Sequence, residues 1–183
     1  DWGLHEVQVA TWGGFVFINP DAGAPSLTSY VGELDDHFAR WPLEDRFVQA
    51  HVAKILRCNW KIAQEAFMEA YHVINTHPQV AVSNADANSQ YDIYGEHVDR
   101  FISSLGVLSP HLRGQYTEQD ILDRFTIGDA SVLGGADRTL AKGETARQRM
   151  ADIMREMFEK ATNTDLSHVS DAELLDCFSY TMF

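Results

Sequence analysis

Apolar and polar residues alternate in the first part of the chain, and turn-forming residues divide them into short segments. Val7 to Pro20 predicts two short strands around a Gly-Gly turn. Ser26 to Arg40 has apolar residues three and four positions apart, which predicts a short helix that ends before Pro42. Phe47 to Trp60 alternates again and predicts one or two further strands.

From Trp60 the spacing of apolar residues changes to that of an amphipathic helix. They fall on one stripe of a helix that we predict to run to His77: Ile62, Ala63, Ala66, Phe67, Ala70, Val73 and Ile74. A residue that precedes proline is pushed out of the helical region. Because Pro78 follows, His77 is the predicted end of this helix.

The second half of the chain mixes strands and helices. Tyr91 to Leu108 predicts strand with a break at Gly95, and Ser131 to Gly143 predicts a loop. The predicted helices begin after Thr117, from Thr145 to Ala161 and after Ser170, and a buried strand follows from Cys177 to Phe183. Without a regular βαβ alternation, this order predicts an α+β fold with an antiparallel sheet.

Composition excludes several classes of function. The 183 residues suit one domain, 45% of them are hydrophobic, and the net charge of −13 disfavours nucleic-acid and anionic-lipid surfaces as partners. No apolar run approaches the roughly 18 to 20 residues that span a bilayer, and no secretory signal is visible. Cys58 and Cys177 share no CxxC spacing, so we expect no disulfide framework and a reducing, cytoplasmic setting.

The predicted helix that begins at Trp60 carries a cluster of candidate metal ligands. Glu65, Glu69 and His72 lie at i, i+4 and i+7, hence on one face, which could also be a plain solvated surface. His77 would point about 140° away from His72 in a continuous helix, but once the helix ends it can turn back. Two neutral imidazoles are good ligands for iron, zinc, copper or nickel, and a nearby carboxylate can bind the metal or orient a ligand.

This segment resembles the iron-site helix of Rieske-type non-haem iron oxygenases, the family that contains the α subunits of aromatic-ring-hydroxylating dioxygenases. The matching residues are Asn59-Trp60-Lys61, Glu65, Phe67, Glu69, Tyr71-His72 and His77-Pro78. A looser resemblance extends to both sides. It implies that residues 1–22 are the end of a Rieske domain and its linker. It also implies that residues 23–183 are the N-terminal part of a mononuclear-iron catalytic domain, truncated at its C-terminal end.

The resemblance implies roles for three residues. His72 and His77 match the two histidine ligands of the mononuclear Fe(II), and Glu69 matches an acid, usually Asp, on the electron path from a neighbouring subunit's Rieske cluster. The implied fold is a helix-grip (START-like) antiparallel sheet with helices. The implied reaction is hydroxylation of an aromatic or other apolar substrate by O₂. Electrons would pass from NAD(P)H through a reductase, sometimes a ferredoxin, and a [2Fe–2S] cluster, in a homotrimer or α3β3 assembly.

Two features of the family's pattern are missing from this sequence. Neither Cys58 nor Cys177 lies in the paired Cys and His motifs that hold the cluster, so we expect no cluster on this chain. The third iron ligand, an Asp, lies downstream in the family, and Asp176 does not match its position. We therefore expect a piece of a longer polypeptide that binds iron weakly and is inactive by itself.

Two other functions remain open from the sequence. A helix-grip domain without cluster and third ligand could be a container for an apolar ligand. Alternatively, His72 and His77 could bind zinc with a carboxylate such as Glu65 or Glu69 in a hydrolase. The HExxH pattern of common zinc proteases is absent, since the two histidines are five residues apart and no Glu adjoins His72.

Overall fold

The computed structural model describes residues 2–125 and 136–182. Within these residues five strands and seven α-helices form, which confirms the predicted α+β class. The strands are β1 (Gln8–Trp12), β2 (Phe15–Asn19), β3 (Gln90–Tyr94), β4 (Val98–Ser103) and β5 (Cys177–Met182). The helices are α1 (Leu27–Val31), α2 (Leu34–Phe38), α3 (Trp60–Glu65), α4 (Val73–Thr76), α5 (Glu118–Arg124), α6 (Ala146–Thr162) and α7 (Asp171–Leu175).

The strands form two small sheets. β1 and β2 pair antiparallel, with Gln8 opposite Asn19, and the turn between them contains Gly13 and Gly14 at φ 57° and 81°. Glycine adopts these values at little cost, so the predicted hairpin is confirmed. The second sheet has the order β3-β4-β5, and Gly95 lies in the turn between β3 and β4 as predicted.

The described residues divide into two compact units. The first takes in the residues up to Asn59, Asp92–Asp99 and those from Tyr180 onward. Its core is Val31, Leu34 and Val98, surrounded by aromatic side chains. The second takes in Trp60–Tyr91 and Arg100–Ser179. Its core is larger, and α5, α6 and α7 supply most of it: Val82, Ile121, Leu122, Phe125, Met150, Ile153, Leu174 and Leu175.

Capping boxes start the three helices of the larger core. The side chains of Thr117, Thr145 and Ser170 each accept a hydrogen bond from the backbone N–H three residues later, whose own side chain bonds back to the cap. Each box satisfies two N–H groups that a helix start leaves unpaired. The predicted starts of these helices are confirmed. No helix among the described residues has the length and apolar character needed to cross a membrane.

Three predictions of local structure need correction, and a fourth concerns a loop that is described only in part. Residues 47–59 form no strand, because no neighbouring chain pairs with them there, and Phe47, Val52 and Ile55 are exposed. The helix predicted from Ser26 is divided into α1 and α2 at Gly32, whose φ of 52° cannot continue a helix. β5 forms as predicted, but only Thr181 of its residues is buried, whereas the sequence predicts a buried strand. Residues 136–143 of the predicted loop form no helix or strand, as predicted, and residues 131–135 lie outside the described residues.

Gly106 packs against α6 closely enough to exclude a side chain. Its φ is +74°, and an added Cβ would lie 2.9 Å from the Cα of Arg147. We expect Gly106→Ala to lower the free energy of unfolding by about 3 kcal/mol. Left-handed backbone costs ~1–2 kcal/mol for a residue with a Cβ, and overpacking adds a similar amount. Urea unfolding of the purified chain measures this loss.

Gly114→Ala is the matched control. Its φ is +80°, and no described atom lies within 4 Å of the added Cβ, so only the backbone strain of about 1 kcal/mol should appear. Equal losses for the two variants would contradict the close approach of Gly106 to α6.

Candidate metal centre

The helix predicted from Trp60 to His77 is interrupted, and the interruption forms the candidate site. α3 ends at Glu65 and α4 begins at Val73, with turns between them. The predicted single face with Glu65, Glu69 and His72 therefore does not form. Glu65 is exposed at the end of α3, whereas Glu69 and His72 are half-buried in the connecting turn. Side-chain acceptors compete here with the helix for backbone N–H groups, which periodicity does not reveal.

The Glu69 carboxylate organises this turn. One oxygen, Oε2, accepts hydrogen bonds from the backbone N–H groups of Tyr71 and His72, and the other, Oε1, contacts Nδ1 of the His72 ring. Partial burial raises the pKa of Glu69, but these hydrogen bonds outweigh it and leave the pKa below its usual range. Glu69 is therefore a carboxylate at neutral pH, held on His72.

This contact fixes the orientation of the His72 ring. The two side chains are 27% and 31% exposed, for Glu69 and His72 respectively. With Nδ1 engaged by the carboxylate, Nε2 is the nitrogen of His72 that can bind a metal. A carboxylate on the second nitrogen of a metal-binding histidine sets its tautomer and raises its basicity.

His72 and His77 lie at the two ends of α4 and face each other. His72 is the residue before the helix, and His77 follows it with φ −129° and ψ 50°, outside the helical region as the following proline predicts. The ring centroids are 5.4 Å apart and the ring planes cross at 78°. The structure thus brings together the three residues that the sequence singled out, with His77 at the surface.

The site provides two nitrogen donors rather than a complete set of ligands. Among residues 2–125 and 136–182, no group of three or more His, Cys, Asp and Glu side chains is placed to hold a metal ion. Asp176 is engaged elsewhere, since its carboxylate pairs with Arg147. Two imidazoles with a carboxylate behind one of them fit part of a mononuclear centre that a further ligand would complete.

A separate cavity lies in the first unit. It has a volume of about 650 Å³, and its walls come from the β1–β2 hairpin, α1 and His97. The ring of His97 stacks on Tyr30 at 4.7 Å between centroids. Glu69, His72 and His77 are not among the residues that line this cavity. The three residues therefore do not share this cavity, and the hypothesis of a container for an apolar ligand stays open.

Known proteins show similarity to parts of this chain. Biphenyl dioxygenase subunit alpha of Paraburkholderia xenovorans is 29% identical over 142 residues, which cover 64% of this chain and 31% of the relative. Biphenyl 2,3-dioxygenase subunit alpha of Rhodococcus jostii is 35% identical over 81 residues, 42% of this chain and 18% of the relative. The glycine betaine monooxygenase oxygenase subunit of Chromohalobacter salexigens is 31% identical over 78 residues, 43% and 18% respectively.

The chain thus spans about a third or less of the length of these relatives. No solved structure matches it at a significant level. The family model described as ring hydroxylating alpha subunit (catalytic domain) matches residues 33–183, which include the whole candidate site. This match confirms the resemblance that the motif around His72 and His77 predicts. The chain belongs to the catalytic-domain family of the Rieske-type ring-hydroxylating oxygenase alpha subunits.

Proposed function

We propose that this protein is part of an oxygenase α subunit that hydroxylates an aromatic or other apolar molecule with O₂ at a mononuclear non-haem Fe(II). The observation that carries the proposal is the convergence of His72 and His77 beside Glu69, in a chain of the ring-hydroxylating family. Relatives named for biphenyl and chlorobenzene support an aromatic substrate.

The residues of this chain would hold the metal and set its surroundings. Nε2 of His72 and an imidazole nitrogen of His77 would be two of its ligands, and a carboxylate from the rest of the subunit would be the third. When bound, the iron supplies the reductive activation of O₂. Glu69 keeps the His72 ring in its binding orientation and makes its nitrogen a stronger donor.

The electron path is the second part of the proposal. Electrons from NAD(P)H would arrive through a reductase, and in some systems a ferredoxin, at a Rieske [2Fe–2S] cluster outside this chain. Glu69, fixed on His72, would connect that cluster to the iron across a subunit boundary, in a homotrimer or α3β3 assembly of the cytoplasm. We propose that residues 1–22 are the end of the Rieske domain and its linker. The relatives' full lengths leave room for that domain.

The test is oxygen-dependent turnover by the α subunit that contains this chain. The subunit is loaded anaerobically with Fe(II) or with Zn(II) and supplied with its reductase, NADH, biphenyl and ¹⁸O₂. We expect iron near one equivalent per subunit and ¹⁸O in a hydroxylated product. Tight zinc with oxygen-independent hydrolysis would favour the hydrolase instead. A metal-free subunit that binds biphenyl unchanged would favour the container.

A further inference from the structure

Three consecutive backbone N–H groups in the turn before α4 bond to side chains rather than to a helix. The N–H groups of Tyr71 and His72 donate to the carboxylate of Glu69. The N–H of Ala70 donates to the hydroxyl oxygen of Tyr91, at 3.2 Å. Tyr91 is 21 residues further along the chain, on β3, so this bond ties the turn to the sheet.

The bond from Ala70 to Tyr91 is partly buried, because its donor lies on a buried residue although Tyr91 is 46% exposed. Ala70 is 3% exposed, so water has little access to its N–H and could not readily replace the Tyr91 hydroxyl as its acceptor. The Tyr91 ring packs on Phe101 of β4, with centroids 5.5 Å apart, which limits where the hydroxyl can point. A buried N–H left without an acceptor is costly, so the turn has a strong preference for the position that reaches Tyr91.

The alternative conformation is the continuous helix that the sequence pattern favours. In that helix the N–H of Ala70 would donate to the carbonyl of Ala66 instead. The N–H groups of Tyr71 and His72 would likewise donate to carbonyls four residues back. Glu69 Oε2 would lose both of its backbone donors, and the carboxylate would be held on His72 by one contact only. The Tyr91 hydroxyl, which offers the Ala70 N–H an acceptor outside the helix, therefore favours the conformation in which Glu69 fixes His72.

We propose that Tyr91 is a positioning residue for the Glu69–His72 pair. Its hydroxyl holds the turn between α3 and α4 out of the helical conformation, and it acts on the metal site through the backbone of Ala70 rather than by touching a ligand. The part that concerns metal affinity rests on the proposed function. The part that concerns the turn does not require a metal.

The first experiment tests the turn in the metal-free chain. Amide hydrogen exchange by NMR compares Tyr91→Phe with the wild type. We expect exchange at Ala70 to be about ten-fold faster, and exchange at Tyr71 and His72 to rise with it. The turn should open more often, and each N–H is without a partner while it changes between its side-chain acceptor and a helical carbonyl. An unchanged rate at Ala70, or a change confined to Ala70, would overturn the proposal.

Tyr116→Phe is the matched control for both experiments. It removes the same atom from the second unit, at a half-buried ring that lies under the guanidinium of Arg124 at 4.8 Å. The exchange rates at Ala70, Tyr71 and His72 should stay at the wild-type values. Equal acceleration in both variants would show general loosening and would overturn the proposal.

The second experiment uses Co(II) as a spectroscopic probe in the α subunit that contains the chain. We expect Tyr91→Phe to weaken Co(II) binding about ten-fold and to shift the visible absorption bands, since residues behind a ligand typically change metal affinity by ~10- to 100-fold. Wild-type affinity and bands in Tyr91→Phe would overturn the proposal for the metal site. A wild type that binds no Co(II) contradicts the proposed function instead, and the exchange rates then decide the role of Tyr91 in the turn.

Discussion

Replacing His72 with alanine is expected to abolish iron binding by the α subunit that contains this chain, and oxygen-dependent product formation with it. His72 and His77 are the two nitrogen donors that the structure brings together, so either substitution leaves one. The loss should exceed ~100-fold in iron affinity, because residues behind the ligands already change affinity by ~10- to 100-fold. Elemental analysis after anaerobic incubation with Fe(II) measures it, and His77→Ala should give the same result.

Two comparisons separate ligand loss from general damage. His111→Ala and His168→Ala remove exposed histidines elsewhere in the second unit and should keep the iron. Glu69→Gln keeps a polar acceptor on His72 but removes the charge, so iron binding should weaken by an intermediate amount. His72→Ala with wild-type iron content would refute the metal centre, and the proposed function would fall with it.

Replacing Arg147 with alanine is expected to cost about 3 kcal/mol of unfolding free energy. Its Nη1 donates to Oδ1 of Asp176 at 2.6 Å and to the carbonyl of Leu105 at 2.7 Å, and Nη2 donates to Oδ2 of Asp176 at 3.2 Å. Asp176 is 8% exposed, so the substitution leaves a buried carboxylate with only the Leu105 N–H. Breaking such a pair on one side typically costs ~3–5 kcal/mol, and the partial exposure of Arg147 reduces this.

The measurement is urea unfolding of the chain, with Arg149→Ala as control. Arg149 is half-buried on the same helix, but its hydrogen bonds to the carbonyl of Asp137 lie at the surface, so its removal should cost less than ~1 kcal/mol. Removing both Arg147 and Asp176 should cost less than the sum of the single losses. Asp176→Ala should leave iron content unchanged in the full subunit. An iron loss there would reveal a ligand role that the pairing with Arg147 argues against.

Local signals in the sequence predicted a large part of the fold. The helix starts at Thr117, Thr145 and Ser170 rest on contacts within four residues, and the β1–β2 hairpin rests on its glycine turn. Such contacts form wherever the sequence places them. The prediction of strands between Phe47 and Trp60 was wrong. Alternating residues only permit a strand, and the hydrogen bonds that form one must come from another part of the chain.

The sequence predicted which residues form the candidate site, but it did not predict the break between α3 and α4 that shapes the site. Spacing and resemblance selected Glu69, His72 and His77, and the proline after His77 correctly ended the helix. The interruption between α3 and α4 depends on Tyr91, 21 residues away, and on a carboxylate that binds the backbone beside it. Periodicity records which residues can share a helix face, and it carries no information about such competing acceptors.

The exposed segment after Phe47 has a consequence for how the isolated chain behaves in solution. Five apolar side chains in this segment are between 59% and 91% exposed: Phe47, Val48, Val52, Ile55 and Leu56. Their exposure favours nonspecific hydrophobic association between molecules. The net charge of −13 opposes this association by mutual repulsion. That repulsion reaches about 30 Å at 0.01 M salt but only about 8 Å at 0.15 M. Dilute buffer should therefore keep the chain colloidally dispersed, and salt should drive it to self-associate.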